Sequence, residues 1–153
     1  MKACLDEYRR KRDFSRTPEP AEARRQPGPE PIYVIQKHAA STLHYDFRLE
    51  VDGVLKSWAV PKEIPTEYGV KRLAVQVEDH PIEYASFSGR IPEGYYGAGE
   101  VLIYDRGVYE LKEYSVNKIR FKLFGQKLSG LYQLLKFREE KGRVYWLLFK
   151  IKE

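Results

Sequence analysis

The stretch that decides the fold is QKHAASTLHYDFRLEVDGVLKSWAV, residues 36–60. From Leu43 to Val51 it alternates without a break: Leu43, Tyr45, Phe47, Leu49 and Val51 fall on one side, and His44, Asp46, Arg48 and Glu50 on the other. A period of two is that of a β-strand. The apolar side suits a core. The other side lines up an imidazole, a carboxylate and a guanidinium, about 7 Å between successive members at a rise of roughly 3.3 Å per residue. Such a row marks a site rather than an ordinary wet surface, while Glu50 at its end is expected to be a solvated rim residue. Asp52-Gly53 comes next, the pair favoured in two-residue hairpins because it tolerates positive φ. A return strand from Val54 to Pro61 then sets Arg48 opposite Ser57, Asp46 opposite Ala59 and Phe47 opposite Trp58. Bulk meets bulk on the core face, and small side chains leave room beside the polar row.

Outward from this hairpin, strands are predicted at 32–37, 72–78, 100–105, 107–111, 119–124, 130–138 and 143–151, in addition to 43–51 and 54–60. Many short strands broken by turns imply a mainly β chain, an antiparallel sandwich or barrel. Residues 1–30 differ: a short helix is expected around Leu5 to Arg12, then an irregular arm whose prolines at 18, 20, 27 and 29 exclude regular structure. The length fits one domain over 1–153, with helix and arm in 1–30 and the β part in 31–153. The glycine-rich run Gly89 to Gly99 permits close backbone approach, either as a barrel corner or as a wall beside the site.

Composition narrows the partners. Lys and Arg number 27 against 22 Asp and Glu, a net charge of +5, which suits a phosphate-bearing polymer without requiring one. The single cysteine, Cys4, excludes an internal disulfide and any Cys-based zinc site. No apolar run approaches the roughly 18 residues of a membrane span, and no signal-peptide segment is evident. A cytoplasmic protein with no membrane partner is expected.

The three histidines, His38, His44 and His80, lie on or beside predicted strands. Along Arg72 to His80, the apolar Leu73, Val75 and Val77 alternate with Arg72, Ala74, Gln76, Glu78 and His80, so Arg72 and His80 are expected to share the polar face. Two imidazoles and a carboxylate, His38, His44 and Asp46, form a donor set for a borderline divalent ion with open positions. Beside such an ion, Arg48 offers a planar fork for phosphate, and His80 a group that neutralises charge or protonates a leaving oxygen. Three other arrangements use the same residues: satisfied partial-core histidines with an Asp46–Arg48 ion pair, a non-catalytic nucleic-acid-binding barrel, and a 2-oxoglutarate/Fe(II) oxygenase. The oxygenase would use His44, Asp46 and His80 for iron and Arg90 for the cosubstrate.

Two blocks, QKHAASTLHYDFRLEVDGVLKSWAVPK at 36–62 and KRLAVQVEDHPIEYASFSGRIPEGYYGAGEV at 71–101, resemble the 3′-phosphoesterase domain of LigD-type bacterial DNA repair ligases and its free-standing relatives. The resemblance runs from about Tyr8 to the last strands. It implies a compact β-barrel with a crescent-shaped active-site groove. It also implies Mn²⁺-dependent healing of DNA 3′ ends, in which a 3′-terminal ribonucleoside and then the 3′-phosphate are removed to leave a 3′-hydroxyl. Zn²⁺, Co²⁺ or another divalent transition metal would be the substitutes. By motif, His38, His44 and Asp46 are the implied metal ligands, Arg48 and His80 contact the scissile phosphate, Tyr84 supports the ribonucleoside step, and Gln36, Lys62 and Arg72 line the groove. The run KRDFSRTPEP at 11–20 matches a signature of the same family, implying roles for Arg12, Asp13 and Glu19. Ala39-Ala40-Ser41-Thr42 stands where relatives often carry arginine, so template affinity is expected to differ. The implied partners are primer-templates ending in a ribonucleotide or a 3′-phosphate, with a ligase and a repair polymerase met in trans.

Overall fold

The computed structural model describes residues 5–21 and 30–153; Cys4, Pro27 and Pro29 lie outside them. Nine strands follow one short helix, α1 (Asp6–Arg10): β1 (Ile32–Ala39), β2 (Leu43–Val51), β3 (Val54–Val60), β4 (Arg72–His80), β5 (Gly89–Ile91), β6 (Gly99–Tyr114), β7 (Lys118–Gly125), β8 (Ser129–Glu140) and β9 (Arg143–Lys150). A 3₁₀ turn, Ile82–Ser86, links β4 to β5. All strand neighbours pair antiparallel in the order β1-β2-β3-β4-β9-β8-β7-β6, and β1 closes the ring on β6. This eight-stranded closed barrel removes the free edges of an open sheet. β5 adds to the start of β6 outside the ring.

The hairpin has the expected register: Arg48 faces Ser57, Asp46 faces Ala59 and Phe47 faces Trp58, across a turn with Asp52 at φ 52° and Gly53 at φ 84°. Tyr33, Ile35, Phe47, Leu49, Trp58, Phe121, Leu123 and Tyr132 are fully buried and fill the barrel interior. Each such side chain contributes about 1.5–3 kcal/mol by leaving water. Leu43, at the open end of its strand, is 45% exposed and does not join them.

A second apolar cluster lies on the outer face of the wall: Tyr8, Val34, Leu55, Tyr84, Ala85, Phe87, Ile91 and Val101. It explains how five residues of helix persist, since a single turn has no stability of its own. Tyr8 plugs α1 into the cluster, and its hydroxyl donates to the carbonyl of Pro20, tying helix to arm. Residues 5–21 thus form a strap across the outside of β4.

Two expectations are corrected here. The predicted break between 105 and 107 does not occur, and β6 runs unbroken for 16 residues. Gly107 is there for closeness, because a Cβ would lie 2.2 Å from the Phe124 carbonyl oxygen. Asp105 beside it is buried, accepting from the Tyr33 hydroxyl at 2.6 Å and from the amides of Gln126, Lys127 and Leu128 at 3.0 Å. Glu50 is not a wet rim residue; it is buried and accepts the Ile32 amide at 3.0 Å, fastening the start of β1.

Candidate metal and phosphate site

Cross-strand partners share a face of a sheet, so the pairings Gln36–Asp46, His38–His44 and Val34–Arg48 put β1 and β2 polar groups on the outer wall together. The strap, the 3₁₀ turn and the glycine-rich loop close over them. The result is a cavity of about 270 Å³ lined by His38, His44, Asp46, Arg48, His80, Arg12, Glu19 and Tyr84, with Glu78, Tyr96 and Gly97.

At one end, His38 Nδ1 lies 3.4 Å and His44 Nε2 3.3 Å from the Asp46 carboxylate. The opposite ring nitrogens are committed: His38 Nε2–H donates to the Gly97 carbonyl at 2.6 Å, and His44 Nδ1–H to the Thr42 carbonyl at 3.1 Å. These bonds fix each tautomer and aim one lone pair per ring at Asp46, the outer support that metal-ligating histidines require. The three donor atoms lie within 4.8 Å of one another. Burial opposes charge on Asp46, yet the Arg48 guanidinium beside it holds its carboxyl well below the usual range. Donor types, tautomers and ionisation all fit a divalent transition metal.

At the other end, Arg48 is 3% exposed. Its Nε donates to Gln36 Oε1 at 2.7 Å, and Gln36 is itself anchored through its amide to the carbonyls of Tyr84 at 2.7 Å and Phe87 at 3.0 Å. Arg48 Nη2 lies 3.4 Å from Asp46, and its guanidinium stands 4.8 Å from the Tyr84 ring centre. Arg12, from the strap, bonds Glu19 at 2.9 Å and Glu78 at 3.2 Å, and stacks on Tyr8 at 3.9 Å. Glu19 also accepts the Tyr84 hydroxyl at 2.6 Å and Thr17 at 2.8 Å. Burial, with Glu19 nearby, pushes the Tyr84 phenol well above 10, so it acts as a hydrogen-bond donor and not as a base.

His80 sits between the two arginines: Arg12 Nη2 is 3.3 Å from Nε2, and Arg48 Nη1 is 3.3 Å from Nδ1. Burial first, then both guanidiniums, push its pKa well below 6.5, so the imidazole is neutral at pH 7. Nδ1–H donates to the Glu78 carbonyl at 2.9 Å, which leaves the Nε2 lone pair toward Arg12.

Placed beside known proteins, residues 36–136 match the family model described as the DNA ligase D 3′-phosphoesterase domain. The chain is 48% identical to the multifunctional non-homologous end joining protein LigD of Pseudomonas aeruginosa over 156 residues, 97% of this chain and 19% of that protein. It is 45% identical over 153 residues to the LigD of Mycobacterium tuberculosis, covering 97% of this chain and 20% of that one. The chain belongs to the DNA ligase D 3′-phosphoesterase domain family. It spans about a fifth of the length of the curated relatives it matches.

Within this 3′-phosphoesterase domain the structure gathers most, not all, of the residues singled out by sequence. Arg12 and Glu19 precede the matched segment, and the strap carries both into the cavity. Gln36 is fully buried beneath Arg48 rather than at the surface of a groove. Lys62, Arg72 and Asp13 do not line the cavity. Lys62 is exposed. Asp13 is exposed and accepts from the Ser15 hydroxyl at 2.6 Å and amide at 3.1 Å. Arg72 donates to the Glu63 carbonyl at 2.9 Å. The expected common face of Arg72 and His80 fails because β4 carries a bulge: Ser57 pairs Val77 but Leu55 pairs His80, one residue more on β4 than on β3. The bulge puts Ala74 in the core and exposes Leu73, while Val77, Glu78 and His80 reach the cavity. The iron set of an oxygenase is not assembled either, since Arg90 lies outside the cavity and His80 is held by arginines rather than joined to His44 and Asp46. Glu78, which alternation sets on the side of His80, and Tyr96, from the glycine-rich run, also line the cavity, although the Glu-x-His spacing and the aromatic loop assign neither a role.

Proposed function

We propose that this chain is a Mn²⁺-dependent 3′-end-healing phosphoesterase that removes a 3′-terminal ribonucleoside and then the 3′-phosphate from a DNA strand during end joining. The observation that carries it is the juxtaposition, in one cavity, of a tautomer-fixed His38–His44–Asp46 donor set with buried Arg48 and His80. Membership of the DNA ligase D 3′-phosphoesterase family supports the substrate class.

When held by His38 Nδ1, His44 Nε2 and Asp46, the metal supplies Lewis-acid polarisation of a phosphate oxygen. Arg48 binds the phosphate: Gln36 holds its Nε, so the fork is already oriented before substrate arrives and little side-chain entropy is lost. Arg12 is turned inward by Glu19 and Glu78 and adds positive charge on the far side of His80. A neutral His80 holds no proton to give. An arriving phosphate dianion raises its affinity for one, taken up from solvent; as a water attacks phosphorus and the P–O bond breaks, Nε2 delivers that proton to the leaving oxygen while the water's surplus proton returns to solvent. Tyr84 fixes Glu19, and with it Arg12, by its hydroxyl bond.

The test is an end-labelled assay on two primer-templates, one ending in a 3′-phosphate and one in a single ribonucleotide, with Mn²⁺ added or chelated. Metal-dependent conversion of the first to a 3′-hydroxyl and shortening of the second are expected. Salt-sensitive binding without conversion of either would replace this function with that of a docking barrel.

A further inference from the structure

Two phenol rings line the cavity, and they are in opposite states. Tyr84 is 2% exposed, with its hydroxyl bonded to Glu19 and Arg48 lying against its ring. Tyr96 is 48% exposed. The remaining walls are charged groups, imidazoles, small aliphatic side chains and glycine backbone. They suit a metal and a phosphate, but they offer a nucleobase no open flat surface.

Tyr96 is also held in place. Its loop makes two successive turns, with the Tyr95 amide donating to Pro92 at 3.4 Å and the Ala98 amide to Tyr95 at 3.0 Å. The next residue, Gly97, has φ 77° and receives the His38 N–H, and a Cβ there would lie 3.3 Å from the His38 ring. On its other side, the Lys11 ammonium is 4.7 Å from the Tyr96 ring centre, 3.4 Å from its hydroxyl and 2.9 Å from Glu78. A rigid, half-open ring at the mouth of a phosphate site matches the aromatic platforms on which proteins stack bases, a contact indifferent to base identity because every base has a π-face.

We propose that Tyr96 is the platform on which the terminal nucleobase of the 3′ end stacks while its phosphate lies against Arg48. The proposal rests on the 3′-end-processing function above and adds to it a binding residue and a specificity: any base is accepted, but a base is required for full affinity.

The experiment is a cycle between residue and base. Wild type, Tyr96→Leu and Tyr96→Phe are compared on 3′-phosphate oligonucleotides whose terminal nucleotide carries a base or is abasic, with KM and kcat measured separately. With the base present, Tyr96→Leu should raise KM by roughly 5- to 100-fold with kcat little changed, and Tyr96→Phe should retain most of the affinity. With the abasic end, wild type should already show the raised KM and Tyr96→Leu should add nothing, the non-additivity of a direct contact. Equal losses on both ends would overturn the proposal by assigning Tyr96 a role in bracing Gly97 and His38; no loss on either end would overturn it as well. Failure of wild type to turn over either oligonucleotide would count against the enzymatic function instead. The same cycle read as binding by fluorescence anisotropy would then decide the stacking contact independently.

Discussion

On β2 two faces of one strand are both buried, by different means. Phe47 and Leu49 are covered by the barrel that they help to form, whereas Asp46 and Arg48, 6% and 3% exposed, are covered by pieces laid over the outside: strap, 3₁₀ turn and glycine-rich loop. The inner face needs only volume and apolarity. The outer face needs every partner in place, because a buried charge without one is strongly destabilising. The inner face therefore stabilises the barrel by burial alone, whereas the outer face carries the chemistry and is stable only with its partners docked.

The sharpest way to break this division is at Asp46. Asp46→Ala should cost on the order of a thousandfold in metal-dependent turnover, since ligands and phosphate binders act as a unit; near-normal phosphatase rates in the folded variant would end the metal assignment. One residue along, Phe47→Ala should remove about 3–5 kcal/mol of unfolding free energy while each folded molecule keeps its activity, as urea melts combined with assays below the transition would show. A parallel fall in specific activity would mean that the two faces are not separable. Arg48→Lys should slow turnover by about ten- to a hundredfold, because an ammonium cannot bond Gln36, Asp46 and phosphate from one planar group. The smallest effect is a slope. His80 is held neutral when folded, with a pKa below the usual 6.5, so below about pH 6.5 the unfolded chain takes up a proton that the folded chain refuses. Stability should fall as pH drops from there. His44, whose pKa is raised by Asp46 despite its burial, contributes the opposite slope, so the measurement is the difference between metal-free wild type and His80→Gln. Parallel stability curves from pH 7 to 5 would contradict the neutral, buried imidazole.

Much of this was legible in the strand around Asp46. Strict alternation announced both faces, and Asp52-Gly53 set the register that pairs Arg48 with Ser57. Sequence periodicity failed where local geometry intervened. The β4 bulge reversed the face of Arg72 relative to His80, and an alternating pattern of Val, Gln and Glu gives no sign of an extra residue. The gap expected between 105 and 107 does not occur, since Gly107 lets β7 approach closely enough for β6 to run on without a break. Glu50 looked solvated because its partner is a backbone amide eighteen residues away. The closeness of Arg12 to His80 was inaccessible to spacing of any kind and came only from family resemblance, since no period relates an irregular arm to a strand 68 residues later.

That last distance has a kinetic consequence. The strap is the first described part of the chain to be synthesised, yet its partners Glu78, His80 and Tyr84 emerge 65–68 residues later. Arg12 and Glu19 must wait for them, and contacts closing so long a loop form slowly. Barrel closure joins β1 to β6 and β4 to β9 across comparable stretches of chain, so the cavity is complete only when both the ring and the strap have closed.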